Sequence, residues 1–391
     1  MELPFVNWTV LTGLDCNLRC KYCYEKNKNG QVNTFPVIKQ FFDAMFEQEF
    51  GAGSKSGIRK RINVDYIGGE PLLHPQLLDQ CCGYVMQLAK RYNTAEVRFS
   101  LTTNGTCFKN PDVQEFCKKW NGALDIGFSI DGTKDIHDAM RVDASGAGSY
   151  DRAVAGWNWV KTNLPNARFG VKATFTHATI QRYAESVINL IRLGFTDIGA
   201  NVVFEEIWPK EEAPMITAQL IRAVDYLFDH HLENTVHLFQ VNHADVDMLN
   251  YNPVHLREQN YCGACKYMRA CGFNGVVYGC QRFATMPIPR PIGIIQNGKF
   301  AFSDEGKALC VEVENQYKHL PDECKNCKIG GSCPSCAAIP YEQCPDNPVD
   351  FFRHKGQCGF AYACAAARLY FSDYLHNARG IPKLKNFKKT V

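Results

Sequence analysis

Three cysteines near the start of the chain have the spacing of a small metal-binding loop. Cys16, Cys20 and Cys23 lie within eight residues, in the segment CNLRCKYCY. A four-iron cluster usually takes four cysteine ligands, so a loop that offers three leaves one iron free to hold something else. We therefore expect a cluster with an open iron, which is a site for a ligand.

A second group of cysteines occupies the last third of the chain. Twelve of the 19 cysteines lie between positions 262 and 364. The sequence opens without a secretory signal, and a reducing cytosol does not sustain a disulfide framework. We therefore expect these cysteines to bind metal. The paired spacings of these cysteines also suit structural zinc. For the C-terminal half of the chain taken alone, zinc and iron–sulfur clusters therefore remain alternatives.

Composition and charge exclude several classes of protein. The 43 Lys and Arg nearly balance the 40 Asp and Glu, giving a net charge of +3. A nucleic-acid groove would need clustered basic residues, and a membrane span would need about 18 or more consecutive apolar residues. We expect a cytoplasmic protein with no nucleic-acid partner and no membrane association. The 11 histidines form no spaced ligand set.

Six β-rich runs must position the first cysteines. As far as about residue 193, an amphipathic helical stretch follows each run. Alternating strands and helices predict a parallel sheet with right-handed crossovers. Six units predict an α/β fold, a partial (β/α)6 barrel of the TIM type that is open on one side. The first cysteines follow the first strand, at the edge where parallel barrels place active sites. The runs are NWTVLTG, INVDYIGG, EVRFSLTTNG, ALDIGFSIDG, RFGVKATFTH and DIGANVVFEE.

Composition divides the chain into three predicted parts. Residues 1–209 contain the strand–helix units, and residues 210–258 have a helical pattern that predicts a bridge. Residues 259–391 are rich in Gly, Pro and Cys and end in a predicted helix, FAYACAAARLYFSDYL.

Polar motifs at the predicted strand ends complete a resemblance. GGEP at 68–71, TTNGT at 102–106, SIDG at 129–132 and HDAMR ending in Arg141 follow the cysteine triplet in order. In this respect the chain resembles radical S-adenosylmethionine (SAM) enzymes. The resemblance implies that the unique iron is chelated by the amino and carboxylate groups of SAM. It also implies that SAM is cleaved to a 5′-deoxyadenosyl radical, which abstracts a hydrogen atom.

The same resemblance implies a set of SAM contacts. Glu70 would accept a hydrogen bond from the SAM amine, Arg141 would pair with the SAM carboxylate, and Tyr22 would lie beside adenine. Without the resemblance, Asn104 and Asp131 would read as ordinary turn residues. The implied SAM-binding residues are Tyr22, Gly68, Gly69, Glu70, Asn104, Ser129, Asp131 and Arg141.

The C-terminal cysteines resemble the SPASM extension of radical SAM enzymes, which holds two auxiliary four-iron clusters. In this chain CPSC has two residues between its cysteines, where the family usually has three. Cys271 is an alternative to Cys265, and Cys344 is an alternative to Cys358. The implied first set is Cys262, Cys265, Cys280 and Cys336, and the second is Cys324, Cys327, Cys333 and Cys358. The cysteines left as buried or incidental are Cys81, Cys82, Cys107, Cys117, Cys310 and Cys364.

Three classes of function fit these motifs. The favoured one is a radical SAM/SPASM enzyme that oxidises or crosslinks a residue of a ribosomally made peptide or protein. The alternatives are an anaerobic sulfatase maturase, which makes formylglycine, and a non-enzymatic electron carrier or zinc scaffold. Sulfatase maturases characteristically have an aspartate as proton acceptor after the hairpin cysteine, whereas here Gln281 follows Cys280. No general base is identified from the sequence, although Glu205 or Glu206 could replace that aspartate.

The resemblance also implies partners. An external reductant such as flavodoxin or ferredoxin would supply the electron that cleaves SAM. The sequence begins almost at the first strand, so we expect either a separate leader-recognition protein or direct binding of the peptide by the core domains.

Overall fold

A computed structural model describes residues 5–26, 28–51, 60–241, 262–330, 333, 336–353 and 356–379. The chain divides into two compact units, each made of segments that are separate in sequence. The first unit is Met1–Ser129, Arg141–Phe169 and Gly263–Glu314, and the second is Ile130–Met140, Gly170–Cys262 and Asn315–Val391. The division at 209/210 and 258/259 stays a prediction.

The described strands and helices follow the alternation expected from the sequence. The strands are β1 (Phe5–Gly13), β2 (Arg61–Gly68), β3 (Glu96–Thr103), β4 (Leu124–Ser129), β5 (Arg168–Phe175), β6 (Asp197–Val202), β7 (His237–Leu238), β8 (Met268–Cys271), β9 (Val276–Tyr278), β10 (Pro291–Gln296) and β11 (Lys299–Phe302). The helices are α1 (Phe35–Phe50), α2 (Pro75–Arg91), α3 (Pro111–Trp120), α4 (Lys134–Met140), α5 (Tyr150–Asn163), α6 (Tyr183–Arg192), α7 (Ala213–Asp229), α8 (Gln281–Thr285), α9 (Asp304–Asn315), α10 (Asp322–Lys325), α11 (Ile339–Gln343), α12 (Val349–Arg353) and α13 (Cys358–Arg379).

Each unit contains part of the predicted parallel architecture. In the first unit β1, β2, β3 and β4 pair in parallel in that order. In the second unit β5, β6 and β7 pair in parallel. All six strand–helix positions predicted from the sequence are present, and the α/β parallel-sheet fold is confirmed.

The strands of the first unit bury alternate side chains. Leu124, Ile126 and Phe128 of β4 are each at most 1% exposed, while the residues between them are half-buried. Alternation with period two is what a strand requires when one of its faces packs under helices. The core therefore fixes the register of the strands, and with it the position of the polar residues at their carboxyl ends.

Four strands from later in the chain extend the sheet of the first unit. β8 pairs in parallel with β1, with Trp8 opposite Arg269. The order β8, β9, β10, β11 then continues with antiparallel pairs. The edge of β1 is thus already paired with β8 and is closed to a substrate strand.

The β8–β9 connection is the hairpin expected from its Asn-Gly pair. Asn274 has φ of +55° and Gly275 has φ of +77°. Left-handed backbone at two successive residues is the conformation that such turns need. This turn sets the position of Cys280, which follows β9.

Of the predicted bridge, the structure describes residues 210–241, and their first part is α-helical. α7 begins at Ala213 and ends at Asp229, but His237 and Leu238 form a short strand against β6. Residues 242–258 of the bridge lie outside the described residues. The predicted C-terminal helix is confirmed as α13, with 22 residues. In the part of the chain that the structure describes, no helix is both long and apolar enough to span a membrane.

Candidate functional site

The cysteine loop starts directly after β1. Cys16, Cys20 and Cys23 are all partly exposed. The N–H of Arg19 donates to the carbonyl of Val142 over 2.6 Å, which anchors the middle of the loop. The loop therefore presents three accessible thiols at the carboxyl end of the first strand, as predicted.

A four-iron cluster and a single metal ion differ in how far apart their cysteine ligands stand. Among the described residues, no group of three or more His, Cys, Asp or Glu side chains is gathered closely enough to hold one ion. In a four-iron cluster each thiolate binds a different iron, so the sulfurs stand farther apart. The Sγ of Cys16 accepts hydrogen bonds from the Leu18 N–H at 3.4 Å and the Asn104 Nδ2 at 4.0 Å. Such hydrogen bonds are among the features that set a cluster's potential.

The surroundings of Cys16 favour the protonated thiol. Burial raises the pKa of Cys16 to about 11, because a thiolate loses hydration there. A metal ligand must be deprotonated, so binding of iron would release this proton.

Two glycines allow the end of β2 to pass against the cysteine loop. The N–H of Gly69 donates to the carbonyl of Gly13 over 2.9 Å. Gly68 has φ of +144°, which residues with a side chain rarely adopt. A Cβ at Gly68 would overlap the carbonyl oxygen of Gly13, and a Cβ at Gly69 would overlap that of Asp15. The GG pair is therefore required for this close backbone contact.

The carboxylate of Glu70 joins the ends of β2 and β3. Its side chain is buried, and Oε1 accepts from the Leu72 N–H at 3.1 Å and the Thr103 Oγ1 at 2.7 Å. Oε2 accepts from the Asn104 N–H at 2.7 Å. Burial raises the pKa of Glu70 to about 7, partly offset by these hydrogen bonds. A carboxylate has roughly four acceptor positions, so three protein contacts leave one on Oε2 for a further donor.

Asn104 connects the end of β3 to the cysteine loop. Its Nδ2 donates to the Oδ1 of Asn17 at 2.8 Å, and its Oδ1 accepts from the Thr106 N–H at 2.9 Å. The Nδ2 of Asn17 in turn donates to the Oγ1 of Thr106 at 2.8 Å. Asn104 is thus both a turn residue and a link to the loop beside Cys16. Asn17 was not singled out from the sequence.

Arg141 and Tyr22 lie together in the first unit. The Arg141 guanidinium stands 5.2 Å from the centre of the Tyr22 ring, and Arg141 is 8% exposed. The carbonyl of Arg141 accepts from the Ser149 hydroxyl at 2.8 Å. Two of the residues implied to bind SAM are therefore neighbours, on and beside the cysteine loop.

The remaining implied SAM residues lie at the end of β4 and just beyond it. Ser129 is the last residue of β4 and is half-buried. Asp131, in the second unit, is fully buried, and its Oδ1 accepts from the Thr174 N–H at 2.9 Å. This hydrogen bond ties the segment after β4 to β5, so Asp131 has a structural role in addition to the predicted one.

We expect the charged residues of this group to control SAM affinity. Glu70→Gln and Arg141→Ala should each weaken SAM binding by about 10- to 100-fold, because hydrogen bonds to charged groups contribute roughly 1.5–3 kcal/mol. Iron content should stay near that of the wild type, and binding is measured by anaerobic calorimetry. The exposed residues Glu115 and Arg168 provide matched controls as Glu115→Gln and Arg168→Ala. Wild-type affinity in both test variants would mean that the two residues are misassigned.

In the first unit, Cys265 and Cys280 lie at the base of the β8–β9 hairpin. The N–H of Cys265 donates to the carbonyl of Gly279, next to Cys280, over 3.0 Å. Cys271 is buried at the end of β8, and its Sγ contacts the carbonyl of Gly272 at 3.5 Å. Cys265 and Cys271 thus occupy different environments: the N–H of Cys265 is bonded next to Cys280, whereas Cys271 lies opposite Val277 in the ladder between β8 and β9.

In the second unit, cysteines gather around one tyrosine of α13. The Sγ of Cys327 lies 3.4 Å from the hydroxyl of Tyr362. Burial raises the pKa of Tyr362, and the nearby thiols of Cys327, Cys358 and Cys333 raise it further. Cys358 therefore lies near two members of the second predicted set, which also includes the partly exposed Cys324. Burial raises the pKa of Cys344, and the charge of Asp350 raises it further. The choice between Cys358 and Cys344 stays a prediction.

Gln281 is the first residue of α8 and follows Cys280. Its side-chain Oε1 is buried and has no hydrogen-bond partner among the described residues. A buried acceptor without a partner costs free energy, which a bound N–H donor would recover.

A histidine that the sequence did not single out lies in the second unit, just after β5. The Nδ1 of His177 is 2.7 Å from Glu206 and the Nε2 is 3.2 Å from Glu212. The ring stacks on Trp208 with 4.0 Å between centres. Glu206, considered from the sequence as a replacement base, is thus paired with a histidine. The partners all lie within residues 206–212, far from His177 along the chain, so local spacing could not reveal the group.

Comparison with known proteins assigns the first part of the chain to a family. Residues 10–176 match the radical SAM superfamily, and this range includes the cysteine loop, Glu70, Asn104 and Arg141. The chain therefore contains a radical SAM domain, which confirms the predicted class. This domain implies SAM and its iron–sulfur cluster as cofactors.

Several relatives are sulfatase-maturating enzymes. A serine-type anaerobic sulfatase-maturating enzyme of Bacteroides thetaiotaomicron is 24% identical over 392 residues, covering 92% of this chain and 86% of that protein. A cysteine-type enzyme of Clostridium novyi is 33% identical over 143 residues, 35% of each chain. An uncharacterised protein of Methanocaldococcus jannaschii is 28% identical, covering 50% of this chain and 61% of that protein. The alignment spans less than two thirds of the last two relatives.

Solved structures share the fold. The protein anSMEcpe with bound AdoMet superposes with a TM-score of 0.65 at 17% identity, covering 93% of this chain and 99% of that chain. SuiB of Streptococcus suis bound to S-adenosylmethionine superposes with a TM-score of 0.54 at 14% identity, covering 89% of this chain and 76% of that chain. At these identities the likeness concerns the fold.

Proposed function

We propose that this chain is a radical SAM/SPASM enzyme that oxidises or crosslinks a residue of a ribosomally made peptide or protein. The observation that carries the proposal is the cysteine loop after β1, which Glu70 and Asn104 connect to the ends of β2 and β3. An electron carrier has no use for such polar groups beside a three-cysteine cluster. The alignment with a sulfatase-maturating enzyme over 92% of this chain supports an activity on peptides or proteins.

Within the site, each residue has a proposed task. The acceptor position left on Glu70 receives the SAM ammonium, and Arg141 binds the SAM carboxylate with its guanidinium fork. The bound cluster and SAM supply a radical that removes a hydrogen atom from a substrate carbon. The other proposed SAM contacts are Tyr22, Gly68, Gly69, Asn104, Ser129 and Asp131.

Two auxiliary clusters would complete the oxidation. After loss of the hydrogen atom, the substrate must give up one more electron and a proton to become a closed-shell product. Cysteines of the C-terminal half would hold clusters able to receive that electron, and a flavodoxin or ferredoxin would reduce the SAM-binding cluster. The gathering of Cys327, Cys333 and Cys358 around Tyr362 supports the second set.

Known complexes support a peptide substrate. anSMEcpe was solved with bound AdoMet and Cp18Cys peptide, and SuiB with precursor peptide SuiA. In this chain the buried Oε1 of Gln281 has no partner among the described residues and could accept an N–H from such a peptide. A separate leader-recognition protein could deliver the peptide.

The identity of Gln281 favours peptide modification over sulfatase maturation. An amide has no protonation equilibrium near neutral pH, so it cannot take up the substrate proton as an aspartate does. We therefore expect no formylglycine on sulfatase-derived Cys or Ser peptides incubated anaerobically with enzyme, SAM and a strong reductant. Mass spectrometry provides the readout. Loss of two hydrogens from Ser, or conversion of Cys to the aldehyde, would reverse the ranking.

Two controls separate the remaining explanations. Gln281→Asp restores an acid at this position, and gain of formylglycine formation would support the reasoning about the base. Formation of 5′-deoxyadenosine without any peptide shows whether the enzyme is active. A chain that never cleaves SAM would instead fit the electron carrier or zinc scaffold.

A further inference from the structure

In the first unit, one face of the sheet formed by β1 to β4 carries polar side chains. The opposite face packs under helices, since the Trp8 ring lies 5.0 Å from that of Phe46 in α1. Likewise the Phe99 ring lies 5.3 Å from that of Trp120 in α3. Side chains alternate between the two faces along each strand, and the interior of a closed parallel barrel is filled with branched apolar residues. The half-buried residues that alternate with the packed ones instead form a polar face, made of Asn7, Asn63, Asp65, Arg98, Ser100 and Asp125.

Hydrogen bonds join the polar face across three strands. Asn7 of β1 lies opposite Asn63 of β2. Asp65 of β2 lies opposite Ser100 of β3. The Nδ2 of Asn63 donates to the Oδ1 of Asn7 at 2.9 Å and to the Oγ of Ser100 at 3.1 Å. The Ser100 hydroxyl donates in turn to the Oδ1 of Asp65 at 2.7 Å. These bonds fix the orientation of both asparagine amides.

The two asparagines retain hydrogen-bonding groups that the described part of the protein does not use. The Nδ2 of Asn7 donates to no described residue, and the Oδ1 of Asn63 accepts from none. An asparagine side chain has two N–H donors and an oxygen with two acceptor positions. A peptide group has one C=O acceptor and one N–H donor. It therefore complements the open donor on Asn7 and the open acceptor on Asn63.

A buried hydroxyl on the same face is an independent sign of a bound polar group. Thr9 follows Asn7 by two residues and lies opposite Asp65, so its side chain shares the polar face. Thr9 is 0% exposed, and its Oγ1 has no hydrogen-bond partner among the described residues. A buried hydroxyl without a partner costs free energy, which a donor or acceptor of a ligand would recover.

The polar face is continuous with a position already proposed to contact the substrate. Leu11 is the next residue of β1 on this face, and it packs together with Ile67 of β2 and Ala284 of α8. Helix α8 also carries Gln281, whose buried Oε1 is proposed to accept a peptide N–H. A peptide held at Gln281 therefore lies beside the same sheet face as Asn7.

We propose that Asn7 and Asn63 bind an amide group of the substrate peptide, at a fixed distance from the residue that is modified. Asn63 lies five residues before Gly68, the last residue of β2. A strand and an extended peptide both rise about 3.3 Å per residue, so the bound amide lies roughly 17 Å, or about five peptide residues, from the strand ends that carry the candidate site. The amide belongs to the peptide backbone or to an Asn or Gln side chain. This inference rests on the proposed function, because it takes the substrate to be a peptide.

Peptide binding to the full-length, anaerobically reconstituted protein tests the proposal. The probes are the short peptides encoded beside its gene, each labelled with fluorescein, and fluorescence anisotropy gives their dissociation constants. Asn7→Asp keeps an oxygen for the hydrogen bond from Asn63 but replaces the open N–H group with a carboxylate oxygen. It should weaken binding about 10-fold, because a hydrogen bond is lost and an acceptor then faces the peptide carbonyl. Asn158→Asp, at an exposed asparagine of α5, is the matched control and should bind like the wild type.

A second arm changes the peptide and measures its binding to the wild-type protein. Each backbone amide of the tightest-binding peptide is replaced in turn by an ester, which lacks the N–H donor and has a weaker carbonyl acceptor. Each Asn or Gln side chain is replaced in turn by Leu. One replacement, about five residues from the modified residue, should weaken binding about 10-fold, and it should have little further effect on Asn7→Asp. A sensitive ester identifies a backbone amide, and a sensitive Leu replacement identifies a side chain.

The outcomes separate this inference from the proposed function. Wild-type affinity in Asn7→Asp, or the lack of a sensitive position about five residues from the modified one, would overturn the role of Asn7 and Asn63 and leave a peptide-binding enzyme. If no peptide binds the wild type, the peptide substrate of the proposed function is overturned, and this inference with it. If circular dichroism shows that Asn7→Asp does not fold, the peptide replacements measured on the wild type decide.

Discussion

Replacement of Cys16, Cys20 and Cys23 together by alanine should remove all reductive cleavage of SAM and about a third of the bound iron. The three thiolates are the proposed protein ligands of one cluster among three of equal iron content. Chromatography of 5′-deoxyadenosine measures the loss of SAM cleavage, and iron and sulfide analysis measures the loss of iron.

The matched control changes three cysteines without a proposed role in metal binding. Cys81, Cys117 and Cys364 are buried in helices α2, α3 and α13, and their replacement by alanine should leave iron and SAM cleavage near the wild type. If the first triple variant still cleaves SAM, the cysteine loop after β1 is not the site of the reaction.

Gly69→Ala should disrupt the site through the backbone. The added Cβ would overlap the carbonyl oxygen of Asp15 and come within 3.0 Å of the Cβ of Cys16. Overpacking of this type costs roughly 1–3 kcal/mol and shifts the backbone, here in the cysteine loop. We expect a lower melting temperature, loss of iron from the first cluster and loss of SAM binding.

Gly83→Ala in α2 is the control for this change. A Cβ there meets no other atom within 4 Å, and alanine favours a helix over glycine by about 1 kcal/mol. This variant should be as stable as the wild type or more so, with normal iron. If Gly69→Ala behaved the same way, the close contact between β2 and the loop would not be needed for the site.

Local patterns were sufficient to predict much of the fold. Six β-rich runs with helical stretches between them gave β1 to β6, and Asn274-Gly275 gave the β8–β9 hairpin. The pairing of β8 with β1 was not foreseen, because a four-residue strand carries little periodicity and its partner lies some 260 positions away. Local sequence specifies strands and turns, but tertiary packing selects such a pair.

The sequence predicted the residues of the candidate site better than it predicted the contacts between them. The motifs led to Glu70 and Asn104, but not to the three protein hydrogen bonds on Glu70 or the contact of Asn104 with Asn17. His177 escaped notice because its partners lie in a distant segment of the chain. A single sequence shows spacing along the chain, whereas these groups depend on distances across it.

Transfer of hydrogen from a peptide to 5′-deoxyadenosine tests the proposed function most directly. The enzyme, SAM and a strong reductant would be incubated anaerobically with deuterium-labelled versions of the short peptides encoded beside its gene, and 5′-deoxyadenosine would be analysed by mass spectrometry. The proposed function predicts deuterium in 5′-deoxyadenosine and a matching mass loss or crosslink in one peptide. Formation of 5′-deoxyadenosine that contains no deuterium, with every peptide unchanged in mass, would contradict it.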